Sequence, residues 1–326
     1  MRTIFAGSSG FGIPALEQLL RTEPPVLILS QPDKPAGRNL QVQACPLAHY
    51  ARCLGSEVFC PPDINAPEVL ERLRVLQPDL LITASYGGML RRELRRIPAL
   101  GAINLHPSLL PLYRGATPIQ SALLNGDARS GVTIFRLGAC MDAGPILAQK
   151  ELDIEPQDNF TTLQARLAEL AASLLLELLP ALQEGTVEAR PQNESLATYT
   201  RKLQKQDLVL DWNQAARDVL NRIRAFSQTP GASTTRRGAI LKILAAELHP
   251  QPAQNIPGTV AEIFSGHGFA VNCRDVQLLV TQVQPAGKKC LAAPEYLRGA
   301  RVIPGESLGL DWHNASPHNP EQRKES

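Results

Sequence analysis

Long apolar runs are missing from this 326-residue chain. No stretch reaches the roughly 18 consecutive apolar residues that a membrane-spanning helix needs. Cysteine pairs are missing as well. Cys45, Cys53, Cys60, Cys140, Cys273 and Cys290 form no C-x-x-C, which argues against a zinc ribbon or a thioredoxin-like redox site. Scattered so widely, they fit isolated thiols without function in a reducing compartment. No Ser or Cys has the local setting of an α/β-hydrolase nucleophile: the one G-x-S-x-G, GESLG at 305–309, runs into the polar tail and opens no helix. The first residues, MRTIFAGSSGFG, carry neither an apolar segment with a small-residue cleavage site nor the Arg- and Ser-rich look of a transit peptide. A cytoplasmic protein is therefore expected.

Strong net charge is missing too, with 33 Lys+Arg against 31 Asp+Glu, but the balance is uneven. Residues 1–200 hold 17 basic and 20 acidic side chains, whereas residues 201–309 hold 14 and 8. A basic C-terminal part on a mildly acidic N-terminal part is what a chain meeting a polyanion with its second half would show. A merely solvated basic face would show the same.

What is present is an alternation. Apolar strands are expected at 3–7, 26–31, 57–62, 79–87 and 102–111, with helices at 13–21, 46–55 and 67–77 between them. Pro14 sits where a first helical turn tolerates it. Strands alternating with helices imply a doubly wound, mostly parallel, Rossmann-like α/β sheet. A hairpin (131–138 and 145–154), a long amphipathic helix (160–185) and a polar linker (188–203) follow. After a helix at 212–226 come short strands broken by Gly and Pro, at 239–248, 258–264, 268–273 and 276–285. These suggest a small barrel or sandwich. The expected domains are 1–187, catalytic, and 204–309, a β-barrel, with 310–326 a polar, disordered tail.

In such sheets ligands bind beyond the carboxyl ends of the strands. The loop Gly7–Gly12, GSSGFG, has the place of a dinucleotide fingerprint but reads G-x-x-G-x-G, so a tight strand-to-helix turn explains it better than phosphate binding does, although helix-terminus amides there could hold an anion. The stretch INLHPSLLPLYRG (103–115) is more informative. Asn104 and His106 are two apart on a strand, so both project to one face, and Pro107 ends the ladder there. An amide and an imidazole converging at a strand end could stabilise the oxyanion formed when a nucleophile attacks a carbonyl. Asp142, in MDAGPIL, is the carboxylate placed to orient the imidazole. With no covalent nucleophile in view, these residues suggest direct acyl transfer to an amine.

The run NLHPSLLPLYRGATPIQSALLNGDARSGVTIFRL, with MDAGPIL after it, resembles the signature of the folate-dependent formyltransferases. That resemblance implies catalysis by Asn104, His106 and Asp142, through a tetrahedral oxyanion, with 10-formyltetrahydrofolate as formyl donor and no metal. It also implies that Ser108, Leu109, Leu110 and Pro111 lie against the folate, and that Tyr86, Gly87, Gly88 and Leu90 of SYGGML line its pterin pocket. SQPDKPAGR (30–38), RAF with Pro-Gly after it (224–231) and LLVTQVQPAGKKCL (278–291) resemble the branch of the family that formylates methionyl initiator tRNA for translation initiation. On that branch the C-terminal domain is an OB-like barrel. Lys34 and Arg38 would reach the acceptor stem, and Lys202, Lys205, Arg222, Arg224, Lys288 and Lys289 are the expected C-terminal contacts of a monomer. Departures from the branch are NLQVQA (39–44), poorer in Lys, SQTPGA (227–232), without a Trp, and Asp-Ala-Gly-Pro at 142–145 in place of Asp-Thr-Gly-Asp. A formyltransferase for a sugar nucleotide or other small amine, and an inactive tRNA- or folate-binding module, are the rival readings.

Overall fold

A computed structural model of the chain describes residues 1–36 and 41–309. Arg38 and the tail, for which disorder was expected, lie outside the described residues. The chain divides into two compact units. The first is Met1–Ile119, Ala128–Glu155 and Thr162–Arg201; the second is Gln120–Asp127, Pro156–Thr161 and the chain from Lys202 onward.

The first unit and its inserts run β1 (Thr3–Gly7), α1 (Ile13–Thr22), β2 (Leu27–Leu29), β3 (Lys34–Ala36), β4 (Gln41–Gln43), α2 (Pro46–Cys53), β5 (Val58–Phe59), α3 (Pro67–Val75), β6 (Leu80–Ala84), α4 (Arg92–Arg95), β7 (Ala102–His106), β8 (Arg114–Gly115), α5 (Pro118–Asn125), β9 (Arg129–Arg136), β10 (Ile146–Asp153), α6 (Phe160–Glu184) and β11 (Tyr199–Thr200). Seven strands form one sheet in the order β10-β9-β7-β6-β1-β2-β5. From β5 to β7 neighbours are parallel, and β9 and β10 add an antiparallel edge. Every residue of β1, β2 and β6 is buried, as a parallel sheet covered on both faces requires. One covering layer packs Val69 and Leu73 of α3 against Ile4, Leu29 and Leu81. Each such side chain, fully buried, contributes about 1.5–3 kcal/mol.

The stretch 188–203, expected as a linker, is bonded into the first unit as far as Arg201. Arg190 and Ile146 exchange two backbone hydrogen bonds of 2.7 and 2.8 Å, and β11 lies parallel to β8. Its polar composition hid this, because the pairing is made by backbone and by polar side chains rather than by an apolar stripe.

The second unit continues with α7 (Ala216–Ala225), β12 (Ala232–Arg236), β13 (Ala239–Pro252), β14 (Val260–Phe264), β15 (Gly268–Asn272), β16 (Val276–Pro285), β17 (Leu291–Ala292) and α8 (Ala293–Ala300). Its antiparallel sheet has the order β12-β13-β16-β15-β14, with β17 paired to β16. Among the described residues the ladders leave this sheet open, so the closed barrel expected from the strand pattern is not formed by strand pairing. The edges β12 and β14 instead meet the segment Gly305–Gly309 separately. Gly309 donates to the Thr235 carbonyl at 2.9 Å, and Val260 donates to the Glu306 carbonyl at 2.8 Å.

Candidate active site

β7 runs between β6 and β9. Asn104 lies opposite Thr83 of β6 and Phe135 of β9, and His106 lies opposite Thr133 of β9. The structure thus places both side chains on one face at the carboxyl end of the strand. The Thr83 hydroxyl lies 2.7 Å from Oδ1 of Asn104 and 3.0 Å from the Ile103 carbonyl oxygen. Its one proton favours the shorter contact, which occupies the amide oxygen and leaves Nδ2 as the donor.

His106 is 3% exposed and meets the Phe135 ring edge-on, 6.3 Å between centroids. Nε2 lies 3.0 Å from the Tyr113 carbonyl oxygen. A carbonyl only accepts, so Nε2 carries the proton and Nδ1 is bare in the neutral ring. Nδ1 faces Oδ2 of Asp142 at 3.8 Å. Burial pushes the His106 pKa below its ordinary value, opposed by the Asp142 carboxylate and the Tyr113 carbonyl. The ring is therefore neutral at pH 7, and a proton arriving at Nδ1 is received beside a carboxylate.

Asp142 sits in a left-handed backbone conformation, φ +50°, and its Oδ2 accepts a 2.7 Å hydrogen bond from the Gly115 amide. Two residues on, Gly144 lies so close to β9 that a Cβ there would stand 1.7 Å from the Arg136 carbonyl oxygen. The loop following β7 is fixed by Thr133. Its hydroxyl donates to the Ser108 carbonyl at 2.7 Å and accepts from the Leu110 amide at 3.1 Å. Gln149 donates to the same hydroxyl at 2.8 Å and to the Leu110 carbonyl at 3.0 Å. Thr83, Tyr113, Thr133 and Gln149 escaped the sequence reading. The register between neighbouring strands identifies Thr83, Thr133 and Gln149, and the loop after β7 brings the Tyr113 carbonyl to His106.

The residues expected to meet folate divide by exposure. Ser108 and Leu110 are buried: the Ser108 hydroxyl donates to the Leu112 carbonyl at 2.6 Å, and Leu110 packs on Phe135 and Ile146. Leu109 and Pro111 are half-buried. Tyr86 is part of the core, with its carbonyl held by the Ser8 hydroxyl at 2.9 Å. Burial pushes its phenol pKa up to about 12. Gly87 is exposed, at φ +80°, with no atom beyond its chain neighbours within 4 Å of where a Cβ would be. Gly88 lies against Tyr86 and Gln31, and Leu90 packs on the core from its edge. A cavity of about 660 Å³ lined by Arg74, Asp79, Glu93 and Arg96, among others, is at the amino ends of β6 and β7. Asn104 and His106 are at the opposite end of those strands.

The expected tRNA contacts also divide. Lys34 begins β3. Lys202, Lys205, Lys288 and Lys289 are exposed. Arg222 and Arg224 are turned to internal bonds: Arg222 donates to the Asp207 carbonyl, and Arg224 to the Asp158 carbonyl at 2.6 Å. Burial lowers the Arg224 pKa. Among the described residues no group of three His, Cys, Asp or Glu side chains could hold a metal ion.

Residues 3–179 match the family model described as formyl transferase, and residues 202–301 match the model of the formyl transferase C-terminal domain. The chain belongs to the formyl transferase family. Within that family, methionyl-tRNA formyltransferases of Roseiflexus castenholzii and Moorella thermoacetica are 41% and 40% identical to it, each over 95% of this chain and 99% of the relative. The formyl transferase fold also appears in solved structures. HypX from Aquifex aeolicus in complex with tetrahydrofolic acid superposes with a TM-score of 0.65 at 19% identity, over 91% of this chain and 47% of that longer one. WlaRD, a sugar 3N-formyl transferase solved in the presence of dTDP and 5-N-formyl-THF, gives 0.62 at 18% identity, over 89% of this chain and 99% of that one. At such identities the likeness is one of fold.

Proposed function

We propose that the chain transfers the formyl group of 10-formyltetrahydrofolate to the α-amine of methionyl initiator tRNA, in the cytoplasm. The observation that carries this reading is the 41% identity to a methionyl-tRNA formyltransferase over 95% of the chain, which includes the second unit as well as the first. The folate, when bound, supplies an activated formyl group. The exposed backbone at Gly87, next to the Tyr86 carbonyl that the Ser8 hydroxyl holds, suits a flat heterocycle, with Leu90 as an apolar neighbour in sequence and the half-buried Leu109 and Pro111 offered by the loop after β7.

Asn104 donates from Nδ2 to the formyl oxygen as negative charge develops on it; losing such a donor typically costs about 3–4 kcal/mol of transition-state stabilisation. His106 accepts the amine proton at Nδ1 while the new C–N bond forms, and returns it to the departing folate nitrogen. Asp142 stabilises the imidazolium in between. With Nε2–H engaged by the Tyr113 carbonyl, His106 offers a donor toward substrate only after Nδ1 is protonated. Proton acceptance therefore precedes any part it plays in oxyanion stabilisation.

The second unit, from Lys202 onward, is proposed to bind tRNA through exposed cations such as Lys205, Lys288 and Lys289. A barrel-like reading of it is supported by Gly305–Gly309, whose backbone bonds to both edge strands. The test offers labelled 10-formyltetrahydrofolate with methionyl initiator tRNA, free amines and amino-sugar nucleotides in parallel. Label on methionyl-tRNA alone is expected. Label on an amino sugar would overturn the acceptor, and label released only as formate would overturn transfer itself.

A further inference from the structure

Arg114 is fully buried, and its guanidinium has five N–H donors. All five are used. Nε and Nη2 donate to Oε1 of Gln192 at 3.0 and 2.8 Å. Nη1 and Nη2 donate to the Glu194 carboxylate at 2.8 and 2.7 Å, and Nη1 also donates to the Tyr199 hydroxyl at 3.0 Å. The amide of Gln192 is thereby oriented, oxygen toward the cation and nitrogen away from it. That nitrogen donates to two backbone carbonyls, Asp142 and Gly144, both at 2.8 Å. Its targets bracket the left-handed turn that presents the Asp142 carboxylate. The next residue after Arg114, Gly115, gives that carboxylate its amide hydrogen bond.

We propose that Gln192, oriented by Arg114, is a positioning residue that holds the Asp142 loop so that its carboxylate faces Nδ1 of His106. The segment 190–201 is on this view part of the catalytic apparatus. The inference rests on the roles given above to His106 and Asp142. A loop held only by packing could drift by an ångström, and a misplacement of about 1 Å can cost on the order of 100-fold in rate.

Gln192→Met removes both N–H donors without adding charge. Gln192→Asn keeps a polar amide, too short to span Arg114 and both carbonyls, and serves should the first variant fail to fold. For either, kcat is expected to fall about 10- to 100-fold with KM for both substrates within about twofold. The His106 titration, followed by NMR of its ring protons, is expected to move to lower pH, because Asp142 is the one charged group that raises it and the Tyr113 carbonyl contact is untouched. A kcat that drops only in proportion to the folded fraction, with the His106 titration unmoved, would overturn the proposal. Asp142→Asn is run alongside. If it too leaves the rate and the titration unchanged, the assigned mechanism fails; if it changes both and the Gln192 variants change neither, the clamp alone fails.

Discussion

His106 is bonded to a carbonyl on one nitrogen and faces a carboxylate with the other, and its charge state decides both its stability contribution and its chemistry. In the unfolded chain it takes up a proton near pH 6.5. In the fold, burial lowers that pKa, so below about pH 6.5 the unfolded state binds more protons and stability falls as the pH drops, levelling off below the folded pKa. His106→Gln is expected to flatten this part of the stability curve, measured by urea denaturation between about pH 5 and 7. His106→Ala or Asp142→Asn is expected to lower kcat by about 10²- to 10⁴-fold with the circular-dichroism spectrum retained; a variant of near-normal rate would refute the assigned roles. Asn104, His106 and Asp142 were legible because short-range pattern betrays them: two polar side chains on one strand face, and an acid in a small-residue loop. Gln192 was not, because it lies among other polar residues in RPQNES and acts through contacts 50 and 48 residues away. Arg114, in a stretch of Leu, Tyr, Gly and Ala, was the one available hint. A charge in such company often has a buried partner.

At the level of elements, periodicity located nearly all of the first sheet and the long helices, since a parallel sheet and an amphipathic helix write themselves as apolar runs and stripes. It passed over β12 and α8. β12 is Ala-Ser-Thr-Thr-Arg, buried over its first four residues although nothing in it is bulky and apolar. Two of its hydroxyls find partners inside: Thr234 accepts from the Trp212 indole N–H at 3.1 Å, and Ser233 donates to the Gly231 carbonyl at 3.4 Å. α8 is eight residues long, too short for a stripe to repeat. α7 shows a different device. Its N-cap, Ala215, makes no side-chain cap bond, and the Ala216 amide is instead met at 2.8 Å by Oδ1 of Asp275, 59 residues on. That bond holds the Asp275 carboxyl below the usual carboxylate range. Asp275→Ala is expected to destabilise the second unit by about 1 kcal/mol, as loss of a local cap does, read as a lower denaturation midpoint with an unchanged slope.

For the whole molecule, the surplus of 14 basic over 8 acidic side chains in residues 201–309 is the strongest hint of a polyanionic partner that composition offers. If it meets tRNA, affinity falls steeply with salt while small-substrate affinity changes little. Neutralising both Lys288 and Lys289 is expected to shrink that slope by up to about 2, at about 0.9 per lost phosphate contact. An unaltered slope would remove them from the interface. The division into units was only half legible, because composition reports where polarity changes and cannot report that a chain returns. Residues 120–127 and 156–161 belong with the part that begins at Lys202: Asn221 lies where a Cβ on Gly126 would be, and Arg224 holds the Asp158 carbonyl. The second unit is therefore not a cassette that can be traded between relatives by a single splice after Arg201. A chimera joined there would pair one protein's inserts with another's partners, so two short passages far upstream would have to be inherited together with the C-terminal half.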